Sequence, residues 1–216
     1  MENQKALITI YDKLYEFFGP QGWWPGRTRL EIIVGAILTQ NTAWSNVEKA
    51  IVNLKLERVL STPSAIKKMS VNRLATLIRP SGYYNVKAKR LRHFTDFLFS
   101  KYGGSLNELS MSDTGVLRRE LLNVNGIGPE TCDSILLYAF KRPIFVVDAY
   151  TKRLFSRHKF FDERLNYHDA QKFFMSRLPN DEKLFNEYHA LIVRVGKTFC
   201  KRRPNCRTCP LYAPKK

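Results

Sequence analysis

The chain has 216 residues, 44% of them hydrophobic, enough for one large or two small cored domains. Lysine and arginine number 36 against 19 aspartate and glutamate, giving a formal charge of +17 and a pI near 9.9. Such a field selects polyanions, and the basic residues recur beside turns and helix starts instead of forming one tail, which favours nucleic acid over an anionic membrane surface. No apolar run approaches the ~18 residues a transmembrane helix needs. The opening MENQKALITI has no basic start, long apolar region or cleavage site, so no secretion signal is expected and a cytoplasmic location is, nucleoid-associated if the source is bacterial.

In chain order, Ala6, Leu7, Ile10, Leu14, Phe17 and Phe18 follow a helical spacing over residues 5–18, closed by Gly19-Pro20. Gly22-Trp23-Trp24-Pro25-Gly26 reads as a rigid aromatic loop. Leu30 to Leu38 is apolar almost all round and predicts a buried central helix. Thr39-Gln40-Asn41-Thr42 closes it. Ser45 and Glu48 form an S-x-x-E capping box before the Val47, Ala50, Ile51, Leu54 stripe. Thr62-Pro63 and Ser70 open two short helices, and Arg79-Pro80-Ser81-Gly82 is a turn. Lys87 to Tyr102 predicts a long basic amphipathic helix stopped by Gly103-Gly104. Asp113–Leu122 and Pro129–Phe140 are helical, joined by Asn123-Val124-Asn125-Gly126-Ile127-Gly128. Ile144 to Val147 is the one strand-like run, and Asp148 then sits where an N-cap belongs. Further helices span about Tyr167–Arg177 and Asp181–Phe199, before a basic irregular tail from Cys200. The fold class is all-α.

The stretch Leu121–Arg153 carries the chemistry. Two glycines let the chain turn tightly between helices, and Pro129 takes the first helical position. The amides of Gly128 and the helix start suit a phosphate, which would give backbone grip without sequence information. An ordinary tight turn is the plainer alternative. Cys132, Cys200, Cys206 and Cys209 are too few for a disulfide scaffold at this length, and three crowd one tail, pointing to a metal or its relic. Trp23, Trp24 and Trp44 suit either core packing or stacking on a base.

The hairpin, with Val146-Val147-Asp148-Ala149-Tyr150-Thr151-Lys152-Arg153 after it, resembles the helix-hairpin-helix of the endonuclease III superfamily of DNA glycosylases. The resemblance runs from the Leu30 helix to the cysteine tail. It implies a helical barrel lobe over 30–140, ending in the helix-hairpin-helix (about 113–140), and a second lobe of 1–29 plus 141–216, with damaged double-stranded DNA in an interlobe groove. It implies DNA contacts at Asn125, Gly126, Gly128, Pro129, Lys152 and Arg153, a monovalent cation on the carbonyls of Leu122, Val124 and Ile127, and insertion of Gln40 into the gap left by a flipped nucleotide; a helix cap is the alternative for Gln40. Asp148 is the expected catalytic acid, its carboxylate stabilising an oxocarbenium-like transition state and orienting water, with helix capping as its other duty.

Bifunctional members carry lysine where this chain has Glu130. A carboxylate cannot form an imine, so a monofunctional enzyme leaving an abasic site is expected. Trp23-Trp24-Pro25, Leu38–Trp44 and Arg79–Asn85 with Lys87–Leu91 are similar to the 3-methyladenine DNA glycosylase III branch, which also has glutamate at the place of Glu130. That implies a base pocket of Trp23, Trp24, Pro25 and Trp44, with Lys197 near it, and an alkylated, often cationic base, which electron-rich rings suit. Trp44 stands where that branch has phenylalanine, and Lys197 also reads as a solvated lysine. The superfamily's C-x6-C-x2-C-x5-C iron–sulfur pattern is reduced to Cys200-x5-Cys206-x2-Cys209, with Lys215 at the fourth place, so a 4Fe-4S cluster is disfavoured and no cofactor is expected to be required. A monomer is expected. The alternatives are an endonuclease III-like oxidised-pyrimidine glycosylase with lyase activity and a non-catalytic DNA-binding protein built on the same hairpin.

Overall fold

The computed structural model describes residues 2–212, and these form twelve α-helices with one 3-10 turn, one π-helical segment and no strand. They divide into two compact units, Trp24–Arg142 and Met1–Trp23 with Pro143–Lys216. The first unit thus starts earlier than residue 30, because the Trp24 indole packs on Gly35, where a methyl group would stand only 3.2 Å from Trp24 Nε1. No described helix is long and apolar enough to cross a membrane.

The Trp24–Arg142 unit is built around α2 (Arg29–Leu38), whose Leu30, Ile33, Val34, Ala36, Ile37 and Leu38 are all buried. Burying each such large side chain contributes about 1.5–3 kcal/mol. One buried charge interrupts this apolar helix: Glu31 is paired with Lys55 at 2.6 Å. Around α2 lie α3 (Trp44–Leu56), α4 (Pro63–Lys68), α5 (Val71–Leu77), α6 (Tyr84–Tyr102), α7 (Leu106–Met111), α8 (Thr114–Leu122) and α9 (Pro129–Ser134). Helix α9 runs on as a π segment, Ile135–Ala139.

Thr62 and Ser70 cap α4 and α5 as their sequence contexts predict. The capping box does not form. Helix α3 starts at Trp44 with Ala43 as its N-cap, and Glu48, one turn on, accepts from Trp44 Nε1 at 2.8 Å instead of from a backbone amide. Helix α6 starts three residues before Lys87, with Tyr83 in the left-handed region (φ 45°). Helix α7, not expected from the sequence, is a single short turn capped by Ser105.

The other unit comprises α1 (Glu2–Phe18), α10 (Ala149–Arg157), α11 (Tyr167–Met175) and α12 (Glu182–Thr198). Its core is aromatic: Phe145 stacks on Phe174 at 4.2 Å, Phe155 meets Phe174 edge-on at 4.8 Å, and buried Tyr188 donates to Leu7 O at 2.7 Å. The strand-like run Ile144–Val147 stays irregular. It has no strand to pair with, and the Gln171 side chain takes the Phe145 carbonyl at 2.7 Å.

Candidate active site

The hairpin is held at its legs and its tip. Arg118 of α8 makes a two-pronged bond to Asp133 of α9, Nε–Oδ1 at 2.7 Å and Nη2–Oδ2 at 3.0 Å, and the Asp133 side chain is fully buried. Val124 and Ile127 plug into the core beneath the turn. The Ile127 amide donates to Val124 O at 3.0 Å, and Gly126 turns the chain at φ 91°. Its missing side chain is also required by packing, since a methyl there would run into Arg90.

Gln40 does not cap α2; Thr39 does. Its Nε2 donates to Gly126 O at 2.9 Å and Thr131 Oγ1 at 2.8 Å, and its Oε1 accepts from Arg90. Gln40 therefore straps the hairpin to the end of α2. His93 lies 3.1 Å from Asn125 O through Nδ1. Gly128 is exposed, caps α9 without a side chain, and leaves open space where a Cβ would stand, so a ligand atom can come close to the backbone there. Asn125 is exposed beside it, and exposed Glu130 occupies the first turn of α9. The Val124 carbonyl, bonded to the Ile127 amide, keeps a second lone pair.

In the same unit Trp24 meets Trp44 edge-on at 5.1 Å and lies against Tyr138, in the π segment, at 5.1 Å. Gly35 lets the indole lie on α2. Pro25 is exposed next to it. The sequence thus groups Trp23 with Trp24, but the boundary between the units falls between them. Tyr138, Gly35 and Arg90 were not singled out from the sequence.

Asp148 belongs to the other unit. It is the N-cap of α10, and its side chain is 12% exposed. Oδ1 does the capping, accepting from the Thr151 amide at 2.7 Å and the Thr151 hydroxyl at 2.9 Å. Oδ2 instead faces His189 Nε2 of α12 at 3.6 Å. Burial pushes the carboxyl's pKa up, but His189 and the Thr151 bonds outweigh it, and the net direction is down. The carboxylate is therefore ionised at neutral pH, with one oxygen committed to the fold and one turned to a histidine. Lys152 and Arg153, expected to contact DNA, are turned to carbonyls of their own unit: Lys152 Nζ to Leu165 O at 2.6 Å, Arg153 Nε to Cys200 O at 2.7 Å. Lys197 is exposed on α12, next to Gly196, against which Tyr150 packs.

The tail is held by arginines. Arg157 donates to Lys201 O at 2.6 Å, Arg202 O at 3.0 Å and Cys200 Sγ at 3.3 Å. Cys200 is buried, Cys209 half-buried and Cys206 exposed, and among the described residues no three His, Cys, Asp or Glu side chains gather as a metal would need. Lys215 lies outside the described residues. Cys132 is buried in the hairpin helix with its thiol pushed up to about 12 by burial, an inert group. This donor set does not fit a four-cysteine iron–sulfur cluster.

The class of this all-α chain, with its helix-hairpin-helix turn, follows from comparison with known proteins. The chain belongs to the HhH-GPD superfamily of base excision DNA repair proteins, whose profile matches residues 34–180, and it is a DNA glycosylase. MJ1434 of Methanocaldococcus jannaschii, provisionally named a DNA repair glycosylase, is 49% identical over 213 residues, 97% of this chain and 96% of that protein. Endonuclease III of Thermotoga maritima is 30% identical over 179 residues, covering 82% and 78%. Among solved structures, H. pylori 3-methyladenine DNA glycosylase (MagIII) bound to 1,N6-ethenoadenine aligns with TM-score 0.76 and 30% identity over 91% of this chain and 96% of that one. A non-covalent endonuclease III–DNA complex shares the fold with TM-score 0.81 at 22% identity, covering 96% and 92%.

Proposed function

We propose that this glycosylase is monofunctional and excises alkylated bases of the 3-methyladenine type from double-stranded DNA, leaving an abasic site, as a monomer in the cytoplasm and without an iron–sulfur cluster. The observation that carries the mechanism is the division of labour within Asp148. Thr151 occupies Oδ1, so Oδ2 supplies the negative charge that stabilises the oxocarbenium-like sugar and orients the attacking water. Asn125, Gly126, Gly128 and Pro129 hold a backbone phosphate, supported by a monovalent cation on the carbonyls of Leu122, Val124 and Ile127. Lys152 and Arg153 add positive field near α10. Gln40 leaves its strap to fill the space vacated by the base. Trp24 and Trp44, with Pro25, recognise the base; electron-rich rings favour a cationic lesion, whose glycosidic bond is already weak.

Glu130 supports the monofunctional reading, and the similarity to MagIII supports the alkylated substrate. Similarity to endonuclease III keeps oxidised pyrimidines as the rival substrate. The deciding experiment is base release from methylated and from oxidised duplexes by wild type and Asp148→Asn, with borohydride present in a parallel set. Release from methylated DNA by wild type, loss of at least about 100-fold in Asp148→Asn and no borohydride-trapped adduct are expected. Wild-type activity confined to oxidised pyrimidines sinks the substrate, a trapped adduct sinks the monofunctional reading, and an active Asp148→Asn sinks the mechanism.

A further inference from the structure

The proposed role of Asp148 leaves a physical problem. A carboxylate only 12% exposed should tend to take up a proton, and a neutral Asp148 offers the reacting sugar no negative charge. Thr151 satisfies Oδ1 alone. What faces Oδ2 is His189, whose own side chain is 7% exposed. It stands in the buried stripe of α12 among Phe185, Tyr188, Leu191, Ile192 and Val195. A titratable ring in such a stripe, 3.6 Å from the one carboxylate oxygen that capping leaves over, calls for a reason beyond packing.

The neighbouring cations direct their bonds elsewhere. Lys152 bonds Leu165 O, Arg153 bonds Cys200 O and Gly196 O, and Arg157 bonds the tail carbonyls. Lys197 is exposed. Helix α1 packs on α12 through Tyr188, whose hydroxyl is taken by Leu7 O, and its Asp12 acts on Tyr188. Among the groups that hold Asp148 down, His189 acts most strongly.

We propose that His189 is a positioning residue for Asp148: facing Oδ2, it keeps the buried carboxylate ionised, so that base release persists at lower pH than a buried aspartate alone would allow. This rests on the glycosylase mechanism assigned to Asp148. With the imidazole removed, burial dominates and the proton is held to higher pH. The acidic limb of activity then moves toward neutrality, while the rate well above the limb changes little. A histidine that only fills space would lower the rate at every pH alike.

The test compares wild type, His189→Gln and His189→Leu. Single-turnover base release is followed from pH 3 to pH 9, against a no-enzyme control, on whichever duplex, methylated or oxidised, the wild type processes. In parallel, the Asp148 carboxyl carbon is titrated by NMR in enzyme carrying 13C-labelled aspartate, its signal assigned by its loss in Asp148→Asn. Thermal melting and binding to an abasic-site duplex establish that each variant is folded. His189→Leu is expected to raise both the kinetic limb and the NMR midpoint by about one pH unit, a tenfold loss of rate below the limb, with rates within about threefold of wild type at pH 9. His189→Gln, which keeps an amide donor for Oδ2, is expected to fall between the two, and it carries the test if the leucine variant does not fold. Limb and midpoint unchanged in the folded variants overturn the proposal. The NMR arm does so without reference to activity, whereas an active Asp148→Asn would instead remove the mechanism on which the kinetic arm depends.

Discussion

At the scale of single residues, the least expected placement is Lys87. The sequence sets it in a basic amphipathic helix, yet it is 1% exposed, and its ammonium donates to Leu38 O at 2.8 Å, the C-terminal end of α2, and to Ser81 O at 2.7 Å. A cation at a helix C-terminus is favourable, but burial and the nearby Arg90 push its pKa down to about 8. The sign follows: between pH 8 and the ordinary lysine value the unfolded chain holds a proton that the folded one has released, so stability rises with pH across that window. Wild type should gain on Lys87→Met by up to about 3 kcal/mol between pH 8 and pH 10, while at pH 7 the variant, with two buried carbonyls left unbonded, should lose about 1–3 kcal/mol. Denaturant melts at three pH values check both; a pH-independent difference contradicts the burial of the charge. Neither Lys87 nor His189 was legible in the sequence as a buried group, because their burial depends on which distant helix covers them. Asp148 was legible, because an N-cap is a local event.

At the scale of elements, the hairpin depends on its buried fork. Arg118→Met removes the two-pronged bond to the buried Asp133 carboxylate and should cost about 3–5 kcal/mol, whereas replacing the pair together by Met and Leu should recover much of it. Thermal melts of the single and double variants decide this. Affinity for an abasic duplex should fall with the single variant and return with the double, if the fork acts by holding the turn in shape. The two glycines and Pro129 announced this element, since turn chemistry is written in adjacent residues. The clamp was not announced, because Arg118 and Asp133 lie on either side of the turn and look like two solvated charges. The same distinction explains other departures. Ser45 and Glu48 match a capping box, but the helix starts two residues too early to use it. Ile144–Val147 has strand residues, but no neighbouring strand supplies bonds. Helix α7 has too few apolar residues to show a period.

At the scale of the whole molecule, a charge of +17 should make DNA binding steeply salt-dependent. Neutralising about six phosphates gives a slope of about −5 in log K against log salt. Fluorescence anisotropy with an undamaged duplex between 50 and 200 mM salt would measure it, and a slope near zero would mean that the field plays no part in binding. The exposed Lys201, Arg202 and Arg203 contribute to that field from a tail whose attachment has a consequence for its evolution. Arg153 and Arg157 grasp main-chain oxygens of Cys200, Lys201 and Arg202. Every amino acid supplies that oxygen, so apart from the Arg157 contact with Cys200 Sγ the latch is indifferent to what the loop carries. Lineages can exchange loop side chains, and with them the charge presented to a partner, without loosening the loop from the body. A tail anchored through its own cysteines has no such latitude, because there the anchoring positions and the varying positions belong to one short segment.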